Sequence, residues 1–73
     1  MLLSEAKTLK RGDHIHSLSR KNADGTPMRA KITSIKTWKR APERIELRYK
    51  RGLFEYGIID ARELSQFGIG QGN

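Results

Sequence analysis

Two histidines, His14 and His16, a scatter of carboxylates and fifteen Lys and Arg side chains are the groups in this 73-residue chain that could do chemistry. On a strand, the H-x-H spacing sets both imidazoles on one face, which is how a zinc site begins. Zinc takes three or four ligands, and the chain has no cysteine and no third histidine. No local spacing singles out a carboxylate for the missing places, so neither a metal site nor a cofactor is expected. Nucleophilic catalysis has as little to build on. There is no G-x-S-x-G, no Gly-rich phosphate loop, no paired carboxylates in an apolar setting, and no serine–acid arrangement spaced around His14. The expectation is a non-catalytic protein.

The cations tell more, because they are clustered. Residues 29–51 read R-A-K-I-T-S-I-K-T-W-K-R-A-P-E-R-I-E-L-R-Y-K-R. Arg29, Lys31, Lys36, Lys39, Arg40, Arg44, Arg48, Lys50 and Arg51 face only Glu43 and Glu46 there, while the six basic and six acidic residues elsewhere cancel. The whole formal charge of +7 therefore falls on one third of the chain, and the isoelectric point is near 10.3. Lys and Arg that neutralise phosphates release counterions, which gives affinity for RNA or DNA without any reading of bases. Those nine cations and Trp38 are the candidate nucleic-acid-binding residues. Exposed, Trp38 could stack on an unpaired base; buried, it would be the single Trp of a small core, and the sequence leaves both open. Glu46 lies between Arg44 and Arg48, so part of the patch is expected to pair internally. The alternative partner is an acidic protein surface, or a second copy of the chain joined along a strand edge.

A chain this short has room for one domain with a thin core and no disulfide to staple it. No run of residues is long and apolar enough to span a membrane, and Met-Leu-Leu-Ser-Glu does not resemble a signal peptide, so no membrane partner and a cytoplasmic location are expected. Ser4 is placed to cap a helical turn through Glu5–Thr8, with Leu2, Leu3, Ala6 and Leu9 on one side. Lys10–Asp13 reads as a turn. His14–Leu18 reads as a strand with Ile15 and Ser17 on one face, and Ser19–Pro27 as a loop with a tight turn at Asp24-Gly25.

Met28–Trp38 alternates apolar Met28, Ala30 and Ile32 with Arg29, Lys31 and Thr33, but Ile35 falls on the opposite parity. An extra residue near Thr33-Ser34 would restore the phase, turning Ile35 and Thr37 inward and Lys36 and Trp38 outward. Pro42 ends pairing in the next connection. Arg44–Lys50 is a strand with Ile45, Leu47 and Tyr49 inward, and Arg51-Gly52 a tight turn. Leu53–Ile59 is a fourth strand with Phe54, Tyr56 and Ile58 inward. Asp60-Ala61-Arg62-Glu63 has the form of a helix start, with Leu64 and Phe67 closing the core. The domain is expected over residues 1–67, with a flexible Gly-rich tail over residues 68–73.

The order of these elements, the leading Leu9-Lys10-Arg11-Gly12-Asp13, the kinked basic strand and the strand–Arg51-Gly52–strand hairpin resemble an SH3-like small β-barrel of the KOW, Tudor or ribosomal-protein kind over Leu9 to Phe67. The resemblance implies a mainly β barrel of about five strands with a short helical turn near the C-terminus. Its KOW and ribosomal members imply RNA binding through basic strands. A Tudor-like aromatic cage would need Trp38, Tyr49, Phe54 and Tyr56, most of which the core claims, and a cationic ligand suits this charge poorly. The plasmid-encoded dihydrofolate reductase barrel has a V-Q-I-Y stretch where this chain has F-E-Y-G. The segments D-G-T-P-M-R-A-K and K-T-W-K-R also resemble those of small uncharacterised proteins of bacteria and phages, which adds no function.

Overall fold

The computed structural model describes residues 1–72. Its elements are helix α1 (Leu3–Ala6), strands β1 (His14–Lys21), β2 (Pro27–Trp38), β3 (Ala41–Arg51) and β4 (Glu55–Asp60), a 3-10 helix (Ala61–Gln66), and strand β5 (Phe67–Ile69). The five strands form one antiparallel sheet in the order β4-β3-β2-β1-β5. Among the described residues no helix is long and apolar enough to cross a membrane.

One face of the sheet carries the core. Ile15, Ile32, Ile45, Leu47 and Ile59 are fully buried there, with Ala30, and they are covered by Ala6 of α1, Leu9 just beyond it, and Leu64 of the 3-10 helix. The register explains the grouping: Ile15 pairs with Ala30, Ile32 with Tyr49 and then Gly57, and Ile35 with Leu47 and then Ile59. Directly opposed residues share a face, so each row lies wholly inside or wholly outside. Ile32 pairs with Tyr49 and Ser34 with Arg48, leaving Thr33 as the extra residue that restores the phase. The Thr33 hydroxyl donates to the Arg48 carbonyl (3.2 Å) across this bulge. Ser17, buried on the core face, satisfies its hydroxyl by accepting the Ser19 and Arg20 amides (3.2 and 2.9 Å), which bends β1 where its pairing slips.

Strand β3 begins at Ala41 and takes in Pro42, which was expected to end pairing, so the connection after Trp38 is only Lys39 and Arg40. Besides this, the sequence expectations need correction at four places. Helix α1 starts at Leu3, ahead of Ser4, because the Glu5 carboxylate accepts the Leu2 amide (2.8 Å) and closes the first turn. The strands on either side of Asp24-Gly25 run longer than read, to Lys21 and from Pro27, so the connection is only residues 22–26. The residues placed in a loose tail include a strand. Gly68 and Ile69 belong to β5, opposite His16 and Ile15, and the Gly70 amide donates to the His14 carbonyl (2.8 Å). Glycine there permits close approach, since a Cβ at Gly68 or Gly72 would strike the His16 ring at 2.5 or 2.7 Å. Asn73, the last residue of that expected tail, lies outside the described residues.

The fourth correction is to β4. Phe54, Tyr56 and Ile58 were expected inside, and all three are exposed, at 88%, 69% and 55%. A two-residue turn at Arg51-Gly52 would have paired Lys50 with Leu53 and placed them inward. The turn instead holds three residues, Gly52, Leu53 and Phe54, with Gly52 at φ 66° and Arg51 opposite Glu55. One added residue flips every β4 side chain to the other face. Ile59 then enters the core, and the Tyr49 ring lies over Gly57 in the space a side chain would fill.

Gly57→Ala should therefore destabilise the fold by about 1–3 kcal/mol, since its Cβ would sit 2.3 Å from the Tyr49 ring; thermal denaturation measures it. A second expectation concerns Asp24, whose carboxylate accepts the Thr26 hydroxyl (2.6 Å) and amide (3.0 Å). The hydroxyl first, then the amide, holds this carboxyl below its ordinary value. The contribution to the turn is thus complete above the unfolded-chain value and is lost as pH falls through the depressed one. In an NMR titration the Thr26 amide should shift with a midpoint below that of the same carboxyl in unfolded chain.

Candidate nucleic-acid interface

The outward face of the sheet follows from the same register. Across β1, β2, β3 and β4, His14, Lys31, Lys50 and Tyr56 stand in one continuous row, with His16 opposite Arg29 on one side of it. On the other side, beyond the Thr33 bulge, come a row of Ser34, Arg48 and Ile58 and a row of Lys36, Glu46 and Asp60. Trp38 and Arg44 finish that end, with the Arg44 guanidinium 4.0 Å and the Lys36 ammonium 5.2 Å from the indole centroid. Seven of the ten residues singled out by sequence (Arg29, Lys31, Lys36, Trp38, Arg44, Arg48 and Lys50) thus share the face opposite the core.

The other three are placed differently. Lys39 and Arg40 form the two-residue connection between Trp38 and Ala41, at the end of the face. Arg51 has the parity of the core face and is ion-paired with Glu55 across the β3–β4 turn (3.3 Å). Trp38 is half-buried, its indole partly covered by Arg44, an arrangement between the two that the sequence left open.

The charge on this face is uneven. Glu43, Glu46 and Asp60 all lie toward the Trp38 end, and Arg48 is paired with Glu46 (3.2 Å) and Arg62 with Asp60 (3.4 Å). Arg29 donates from Nε to the Gln71 carbonyl (2.8 Å), which ties the segment after β5 to the sheet. Lys31 and Lys50 are directly opposed, and among the described residues neither has a carboxylate within ion-pairing distance. Arg11 borders the same ground, lining a hollow with Gly12, Thr33, Lys31 and Lys50. Lys50 also stands 5.7 Å from the Tyr56 ring centroid. That end of the face therefore gathers Arg11, His14, Lys31 and Lys50 around one cross-strand pair.

Arg11, His14 and Tyr56 were not among the residues singled out. Arg11 and His14 reach the row because the turn at residues 10–13 is pinned to β2, with Gly12 donating to the Ile32 carbonyl (2.9 Å) and Ile32 to the Asp13 carbonyl (2.8 Å). That contact is non-local, and composition carries no sign of it. Tyr56 was hidden by the loop-length error. Compared with protein families, curated proteins and solved structures, the chain matches none of them.

Like charges placed directly opposite each other in a sheet oppose folding. Lys31→Thr should accordingly leave the fold as stable or raise its stability by about 0.2–1 kcal/mol. The gain should shrink as salt screens the repulsion, which paired thermal melts at low and high ionic strength will show.

Proposed function

We propose that the protein is a non-catalytic nucleic-acid-binding module that meets the phosphate backbone with the outward face of its sheet. The observation that supports this most is the Lys31–Lys50 pair: two lysines directly opposed across strands, flanked by Arg11 and His14 and, among the described residues, without a carboxylate partner. Arg48, Arg51 and Arg62 are met by acids, and this pair is not; two like charges set directly opposite cost stability that a bound polyanion would return. Lys36, Trp38, Lys39, Arg40, Arg44 and Arg48 extend the contact toward the β2–β3 turn, and Arg29 extends it on the opposite side of the row. Arg51 is left out, because its charge is met by Glu55. In the same reading the sheet is an SH3-like small barrel. Its strand order, with a 3-10 turn between the fourth and fifth strands, supports that comparison.

A second reading, an adaptor that docks an acidic protein or a second copy, draws support from β4, an edge strand carrying exposed apolar side chains. The two readings part under salt and nuclease. Binding to RNA or DNA should fall steeply with salt, on a log–log slope of about −0.7 per neutralised phosphate for single strands and about −0.9 for duplex DNA. Replacing Lys31 and Lys50 together by Gln should weaken binding and flatten that slope by about 1.4 on single strands. Unchanged affinity and slope in the double variant would refute the proposed contact, and a partner captured equally well after nuclease treatment would favour the adaptor.

A further inference from the structure

The phosphate-binding reading leaves one feature of the same face without a role. Phe54, at the β3–β4 turn, and Tyr56 and Ile58, on β4, are among the most exposed large apolar side chains of the molecule, though β4 has Ile59 for its core contact. Tyr56 and Ile58 stand beside the cations, and Phe54 precedes them in the turn that leads into β4. Tyr56 is opposite Lys50, its ring 5.7 Å from the ammonium, and Ile58 is opposite Arg48. Between them lies an open cleft of about 620 Å³ bordered by Ser34, Arg48, Tyr56 and Ile58.

Resting on the phosphate-binding reading, we propose that this edge is a base-stacking platform and that the ligand is a single-stranded nucleic acid. Phosphates would follow the Lys31–Lys50 row while bases turn toward β4 and stack on Tyr56 and Phe54. Two strand spacings, about 10 Å, separate Lys31 from Tyr56, so cation and aromatic ring serve the same short length of chain. A duplex keeps its bases stacked inside. It would engage the lysines and leave Phe54, Tyr56 and Ile58 in water, whereas an unpaired strand can splay its bases onto aromatic rings. Charge argues against a second copy as the occupant. A two-fold pairing through this face would bring two sets of Lys31, Arg48 and Lys50 together, while a single strand brings the opposite sign.

The test is fluorescence anisotropy of the full chain with four labelled 12-mers at several salt concentrations: oligo(dT), oligo(rU), a fully abasic strand, and a duplex. At least one base-bearing strand should bind about tenfold more tightly than the abasic strand and the duplex. Phe54→Ala with Tyr56→Ala should remove that advantage. The same variant should leave abasic and duplex binding and the salt slope as they were. Both side chains are exposed, so the variant should fold, and circular dichroism checks that it does.

Equal binding of base-bearing, abasic and duplex probes would overturn the platform while leaving phosphate contact intact. No binding to any probe would overturn both. A dimer in sedimentation that the double variant dissolves, with single-strand affinity unchanged, would assign the patch to self-association and overturn the platform.

Discussion

A five-stranded sheet has two faces, and this chain has apolar side chains enough to bury one. Ile15, Ile32, Ile45, Leu47 and Ile59 all point the same way, and the buried side chains of the cover are Ala6 and Leu64 from two short helices and Leu9 from the segment after the first. Full burial of such aliphatic side chains stabilises by about 1.5–3 kcal/mol each, so these few rows carry most of the hydrophobic stabilisation. Every alternate position of β2 and β3 is then committed to water. The basic face follows from that one-sided burial, because β2 and β3, which supply three of the five largest fully buried side chains, also carry seven of the fifteen Lys and Arg residues.

One inserted residue keeps that commitment consistent along β2. Were Thr33 in regular register, Ile35 would face water while Lys36 and Trp38 entered the core, and the two halves of the strand would carry their cations on opposite sides. The bulge restores the phase, so that Lys31 and Lys36 lie on one surface and Ile32 and Ile35 on the other. A bulge also increases local twist, and this one coincides with the point where the turn at residues 10–13 bonds to Ile32. That is how Arg11, distant in sequence from the basic segment, comes to lie beside Lys31 and Lys50.

What could be read from the sequence divides along local and non-local lines. The phase break in Ile32-Thr33-Ser34-Ile35 is visible in four residues, and the bulge is where that break requires it. The inward sets of β2 and β3, apart from Thr37, which is exposed, and the Asp60 cap on the 3-10 helix were legible for the same reason, and the Asp60 carboxylate does accept the Arg62 amide (3.0 Å). The β4 parity was not legible, because it depends on whether the turn after Lys50 holds two or three residues. The apolar triplet Phe54, Tyr56 and Ile58 made the wrong choice look better buried. Strand β5 was missed because glycine reads as freedom when its neighbours are unknown. Once His16 is placed opposite Gly68, the same residue type reads as room for an imidazole. The candidate site inherits both outcomes: its β2 and β3 members were visible in the basic segment, whereas Tyr56, His14 and Arg11 depend on pairings across the sheet.

The distribution of acids bears on the binding role proposed for this face. A face kept polar only for solubility has no reason to keep carboxylates from one cross-strand lysine pair, and alternating signs would stabilise it at no cost in solubility. Here Glu43, Glu46 and Asp60 are gathered at the Trp38 end, where Arg48 and Arg62 find partners and Arg44 lies against the indole. Among the described residues the His14–Lys31–Lys50 row has no such compensation, and its fourth member is an exposed tyrosine instead of an acid. Repulsion between neighbouring ammonium groups and exposure of an aromatic ring are both unfavourable in the free protein. A ligand with phosphate oxygens for the first and flat apolar surface for the second would relieve both at once, and an unpaired nucleotide strand carries the two in alternation.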